Sequence, residues 1–317
     1  MGIKELVYTL SDGLPTNHKG IAFYVFAKNK LDEYVSALLS VDKNEFEAML
    51  GIANELCGKQ TQCRFVNLIK VINQECLMIL QLAYKGDAYN ATSHLLGLMT
   101  KRKYTKSYLS DRYLNYLRFI SDMGCVYYRC LVVENNEIPQ NCNHLPYSLR
   151  HFAGSSRFNQ TGFPCLYIAS SLNVAEKESN CKKEQNVYVG EFKAKRKLFY
   201  LNFCVPSKEE IEEMTEYEVF AFLVTYPLLL LCLVTTDDKR AKFHEEYLFP
   251  QLFFHLLYTT KYDDVIYWAG IRYTSTLDKT GFNIVVPASY KQQEPPTDNT
   301  ISDFIEERFE QTRQYKK

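Results

Sequence analysis

The stretch from residue 219 to 234 constrains this chain most. It is about 16 residues long and uncharged, with Thr225 and Pro227 inside it, Glu216 and Glu218 before it, and Asp237 and Asp238 after it. A membrane-crossing helix takes about 20 apolar residues, so the stretch is expected to be a buried core helix, kinked or interrupted at Pro227. Such a helix needs a large core around it. At 317 residues and 46% hydrophobic, the chain can supply one as a single large domain or two ordinary ones.

Two periodicities divide the rest. Up to about residue 123 the apolar residues recur at helical spacing. Asp42 and Glu45 have capping-box spacing, and Phe46, Met49, Leu50, Ala53 and Leu56 follow as one stripe stopped by Gly58. A second stripe, Phe65, Leu68, Ile69, Ile72, Cys76, Ile79, Leu80 and Ala83, predicts a helix over 64–84 ended by Gly86. Further helices are expected over 87–99 and 107–123. From Gly124 onward, short β-rich runs appear at 125–133, 165–169, 188–192, 197–203, 265–268 and 283–286. Helices are expected over 208–213, 217–234 and 239–258, and a polar linker after Pro295 leads to a last helix over 301–311. Strands and helices do not alternate strictly, which favours an α+β fold over a doubly wound one. The expected organisation is a helical domain 1–123, a second domain 124–294, and a linker with a C-terminal helix 295–317.

Charge and cysteine use exclude some classes. Lys+Arg and Asp+Glu both number 37, so nucleic acid, which rewards concentrated positive charge, is not the expected partner. The clusters Lys101, Arg102, Lys103, Lys106 and Lys193, Lys195, Arg196, Lys197 read as solvated surface. The 10 cysteines form no Cys-x-x-Cys pair and no zinc spacing, so no metal is expected. Unpaired cysteines, with no leader-like apolar segment at residues 1–10, fit a reducing cytoplasm and no membrane. No Gly-x-Gly-x-x-Gly or P-loop is present, so a bound nucleotide would not be held by a Rossmann fingerprint.

The most informative segment runs from Ser156 to Glu178. Arg157-Phe158-Asn159 leads to Gly162, then to Leu166-Tyr167-Ile168-Ala169, then to Ala175 and Glu178, eight and eleven positions beyond Tyr167. Tyr128-Arg129 precedes it. Tyr247-Leu248-Phe249-Pro250-Gln251, Gly270-Ile271-Arg272-Tyr273-Thr274-Ser275 and Asn283 follow. In this order, over about 126–287, the chain resembles the RES domain family, named for its Arg, Glu and Ser. It departs from the family pattern with Phe158 where many members carry Trp. Ser155-Ser156 also stands where glycines are frequent, which bears on the loop because glycine reaches backbone angles that serine avoids.

The resemblance implies a fold like that of the ADP-ribosyltransferases, with a mixed or antiparallel sheet flanked by helices. It also implies consumption of NAD as substrate, by phosphorolysis or hydrolysis of the nicotinamide–ribosyl bond. In this family such activity often makes a growth-inhibiting toxin restrained by a neutralising antitoxin protein. Catalytic roles then fall to Glu178, Arg157 and Tyr167, and NAD contacts to Arg129, Tyr128, Asn159, Ser275 and Asn283, with inorganic phosphate as a possible acceptor. Arg suits the pyrophosphate. A fixed carboxylate suits the positive charge that develops on the ribose carbon. Tyr167 could stack on nicotinamide, and Ser275 could bind its amide or hold Glu178. Each residue has a structural alternative: a turn brace for Arg157, a strand-end ion pair for Arg129, a core tyrosine for Tyr167, a surface glutamate for Glu178, and a loop serine for Ser275. His144 and His151 read as polar loop residues, and Cys130 and Cys165 as buried thiols that resist ionising. Transfer of ADP-ribose to a macromolecule uses the same bond cleavage. A non-catalytic reading would make residues 1–120 a partner-binding module beside a nucleotide-binding domain.

Overall fold

A computed structural model describes residues 1–49, 61–100, 116–133, 138–182, 185–236, 241–259, 261–262, 265–266, 268–289 and 301–317. The chain divides into two compact units, Met1–Leu117 with Val205–Phe253, and Arg118–Cys204 with Phe254–Lys317. Neither is continuous in sequence. The segment 205–253, read from the sequence as part of one domain over 124–294, clusters with the N-terminal helices.

The first unit is helical, with helices Ile3–Asp12, Phe23–Leu39, Lys43–Met49, Gln62–Tyr84, Ala88–Thr100, Lys208–Glu213 and Glu216–Cys232. In Gln62–Tyr84 the buried residues Phe65, Val66, Ile69, Ile72, Cys76, Ile79 and Leu80 form the expected stripe. Thr61 caps it by accepting from the Arg64 amide (3.3 Å). This helix is the one among the described residues long and apolar enough to cross a membrane by composition, and half of its most apolar span is buried. Asp42 Oδ1 caps Lys43–Met49 through the Asn44 and Glu45 amides (both 3.0 Å). The Glu45 carboxylate accepts from the Ile3 amide (2.7 Å). The expected stripe beyond Met49 lies outside the described residues.

The apolar run forms a core helix, Glu216–Cys232, started by a capping box between Thr215 and Glu218 and continuing through Pro227. It is buried on all sides from Phe222 to Cys232, which is why its sequence shows no polar face. It packs with Ile3–Asp12, Phe23–Leu39 and Gln62–Tyr84, and Tyr34 donates to its Leu223 carbonyl (2.5 Å).

The second unit holds an eight-stranded sheet in the order β12-β5-β3-β4-β11-β10-β6-β2. These strands are β2 (Arg118–Ser121), β3 (Val126–Val133), β4 (Cys165–Ala169), β5 (Asn186–Ala194), β6 (Leu198–Phe203), β10 (Gly270–Thr274), β11 (Phe282–Pro287) and β12 (Phe309–Lys316). The two-residue strands β1 (Thr16–Asn17) and β7 (Val234–Thr235) pair in the first unit, and β8 (Lys261–Tyr262) pairs with β9 (Val265–Ile266). The large sheet is mixed: β6 and β10 run parallel and the other neighbours antiparallel. Parallel neighbours need a long crossover, and the residues between β6 and β10 include the helices that join the first unit.

The sheet carries a hydrophobic cluster on each face. One gathers Tyr127, Leu166, Ile168, Phe192, Ile284 and Val286 with Phe304 and Ile305. The other gathers Cys130, Ala169, Val187 and Val189 beneath Val174 and Ala175 of the helix Leu172–Glu178. Strand alternation sends these sets to opposite sides. The mixed sheet flanked by helices is the expected α+β class.

Three expected helices are corrected. The one over 239–258 starts only at Leu248, after a 3-10 turn at Glu245–Tyr247, and residues 239–240 lie outside the described residues. The C-terminal helix over 301–311 is only Asp303–Glu306, followed by β12. Ile301, Phe304 and Ile305 kept helical spacing, but from Phe309 the backbone pairs along β5. Of the helix expected over 107–123, residues 118–121 are strand β2, paired to β6, and 107–115 lie outside the described residues.

Candidate functional site

The turn that carries Arg157 is closed by its own backbone. The Ser156 amide donates to the Asn159 carbonyl (3.0 Å) and the Asn159 amide to the Ser156 carbonyl (3.3 Å). Phe158, fully buried, stacks on Phe203 at 5.8 Å and tilts against Tyr273 at 5.0 Å. Phe therefore fills this place as an aromatic anchor. Among the described residues, Lys19 and Asn180 are the non-glycines with positive φ, so Ser155 and Ser156 meet no strain where glycines were expected. Gly162 does need to be glycine, with φ +83°.

Asn159 is 4% exposed and staples the loop. Its Nδ2 donates to the carbonyls of Gly154 (3.0 Å), Gln160 (3.2 Å) and Phe163 (3.3 Å), and its Oδ1 accepts from the Tyr167 hydroxyl (2.7 Å). Arg157, 7% exposed, is thereby fixed between two anchored neighbours.

A second cluster forms around Glu178, the last residue of the helix Leu172–Glu178. Ser275 Oγ donates to Glu178 Oε1 (2.6 Å), and Asn283 Nδ2 donates to the same oxygen (2.7 Å). Ser275 is fully buried, and its hydroxyl accepts from the amides of Leu277 (3.2 Å) and Asp278 (3.0 Å). With its lone pairs so occupied, its proton points to the carboxylate. Glu178 Oε2 has no partner among the described residues and belongs to a half-buried side chain. The sheet register ties the clusters together: Tyr128 pairs with Ala169, Ala169 with Asn283, and Tyr167 with Val285. Tyr128, Tyr167 and Asn283 therefore share the face beneath the helix that ends in Glu178.

β3 and β4 pair at the single position Tyr128–Ala169. Arg129 follows, partly exposed as a residue but with an enclosed guanidinium whose Nη1 has no hydrogen-bond partner. Burial pushes its pKa below the ordinary arginine value, and the groups that act back on it are Cys142, Cys165 and Tyr167. None of these is a carboxylate, so among the described residues no strand-end ion pair is seen at Arg129. His144 is structural. Its Nδ1 donates to the Leu145 carbonyl (2.7 Å) and its Nε2 accepts from the buried Ser302 amide (2.9 Å). Burial pushes the Cys130 thiol up to about 12 and Cys165 further, which leaves both unsuited to nucleophilic attack. Among the described residues no group of three His, Cys, Asp or Glu could hold a metal, and every cysteine is a free thiol.

Sequence reasoning missed Asp278, 7% exposed. Its only signal was its place three residues after Ser275, which suits a side-chain-capped turn.

An α+β unit with a mixed sheet, a carboxylate held by Ser275 and Asn283, and an arginine in a fixed turn defines the class that the sequence pattern suggested. The RES domain profile matches residues 137–300, just over half of the chain, and the chain belongs to that family. It is similar to a Bacillus subtilis (strain 168) protein named "Putative toxin YopC", 26% identical over 144 residues covering 42% of this chain. The aligned part spans 32% of that relative's length. No solved structure matches the chain.

Proposed function

We propose that the chain consumes NAD by breaking its nicotinamide–ribosyl bond, on a fold related to the ADP-ribosyltransferases. The observation that carries this reading is the Glu178 carboxylate, fixed through Oε1 by Ser275 and Asn283, with Oε2 free of any partner among the described residues. Nicotinamide departs as a neutral molecule and leaves positive charge on the ribose carbon. A preoriented carboxylate oxygen stabilises that charge without having to reorganise. Arg129, whose guanidinium is enclosed with no carboxylate acting on it among the described residues, and Arg157 suit the two phosphates of the pyrophosphate. The aromatic faces of Tyr128 and Tyr167 suit the planar nicotinamide. Water or inorganic phosphate takes the ribosyl group. The name of the Bacillus relative supports a growth-inhibiting role, restrained by a neutralising protein partner, and the free thiols suit a reducing cytoplasm.

The test is incubation of the purified chain with NAD, with and without phosphate, and identification of the products by mass spectrometry. Free nicotinamide with ADP-ribose or its phosphate is expected. Unchanged NAD overturns the reading, and label on a protein or nucleic acid in lysate redirects it to ADP-ribose transfer. Glu178→Gln should lower turnover roughly 100-fold or more and abolish growth arrest on expression.

A further inference from the structure

We infer that Asp278 is a positioning residue for Glu178, holding from one carboxylate both the helix that carries Glu178 and the turn that carries its donor Ser275. This inference deepens the proposed reading of Glu178 and rests on it. The helix Leu172–Glu178 has only seven residues and cannot hold its own orientation. Two of its side chains one turn apart, Asn173 and Lys177, donate to Asp278 Oδ2 (3.0 and 2.7 Å). The other oxygen, Oδ1, accepts from the Thr280 amide (3.1 Å) and hydroxyl (2.6 Å), which folds the turn between β10 and β11. The Asp278 amide donates to Ser275 Oγ (3.0 Å) and so helps aim that hydroxyl at Glu178. The Ser275 amide bonds to the Gly281 carbonyl and the Gly281 amide to the Asp278 carbonyl, closing the turn on itself.

Asp278 thus bonds the helix and also shares a turn with Ser275. The Asp278 side chain is 5% exposed while that of Lys177 is 48% exposed. The contact is therefore shielded on the aspartate side, and the Lys177 end can be changed without opening the core. The hydrogen bond from Lys177, ahead of those from Thr280, holds the Asp278 carboxyl down at about 2. The clamp is therefore charged throughout the neutral range.

The experiment compares NAD turnover of the full chain with Asp278→Asn, Lys177→Met and Lys177→Arg, alongside thermal melts. Asp278→Asn and Lys177→Met should lower kcat roughly tenfold or more, with KM within about twofold, because the carboxylate is displaced while substrate contacts remain. Lys177→Arg should restore most of kcat. Unchanged kcat in folded Asp278→Asn and Lys177→Met, or a loss confined to KM, overturns the inference, as does a lowered melting point with full kcat below it. If the parent chain proves not to turn over NAD, a crystal structure of Asp278→Asn decides separately. A retained Ser275–Glu178 bond overturns the clamp, and a lost one sustains it whatever the substrate.

Discussion

His144 shows how a buried titratable group sets pH behaviour without taking part in chemistry. Its Nε2 accepts and its Nδ1 donates, so it is neutral in the fold. Burial first, and the Arg129 charge as well, push its pKa below the ordinary histidine value. In the unfolded chain it takes a proton near about 6.5. The unfolded state therefore binds more protons as pH falls through that value, and stability, complete above it, drains away toward the lower folded pKa. His255 is shifted the same way by burial and adds to the slope. The melting temperature should fall between about pH 7 and pH 5. His144→Leu should be less stable at neutral pH by about 1–3 kcal/mol, since it leaves the Ser302 amide buried and unpaired, yet lose less on acidification. Melts across that range would check both, and an unchanged slope in the variant would remove His144 as the cause.

At the scale of elements, Gly281 fixes how closely the β10–β11 turn meets the Leu172–Glu178 helix. A Cβ there would stand 2.4 Å from Val174 Cγ2 and 2.8 Å from Ser170 Oγ. Gly281→Ala must push the helix away or distort the turn, at a cost of about 1–3 kcal/mol, and should separate Glu178 from Ser275. A lower urea midpoint together with reduced NAD turnover is expected, and parent-like values for both would show that the close approach is not needed. The sequence carried much of this region. The strand expected over 165–169 matched β4 at both ends, and Glu178, chosen by its spacing from Tyr167, stands at the end of a helix. The clamp through Asp278 was not legible, because Asn173 and Asp278 are 105 positions apart and only the fold makes them neighbours. β12 was illegible for a related reason. Glu310, Gln311, Thr312, Arg313 and Gln314 offer no alternating apolar face, and the strand forms because β5 presents an open edge.

At the scale of the whole molecule, the change of periodicity near Gly124 suggested a cut between a helical domain and a continuous RES domain. The contacts instead assign 205–253 to the helical unit. The apolar helix Glu216–Cys232 lies in that segment, and its partners Ile3–Asp12, Phe23–Leu39 and Gln62–Tyr84 all come from the first hundred residues. A fragment over 118–317 would keep the eight-stranded sheet but expose Val219, Leu223, Val224, Leu228 and Leu231, which are at most 2% exposed in the full chain. Five large aliphatic side chains left in water forfeit about 1.5–3 kcal/mol each, and a contiguous apolar patch of that kind drives association. The fragment is therefore expected to aggregate while the full chain stays monodisperse in gel filtration. A second fragment, with 205–253 replaced by a short polar linker, should recover solubility if the sheet unit is self-sufficient. A monodisperse, folded 118–317 fragment would show that the apolar helix does not depend on the N-terminal helices.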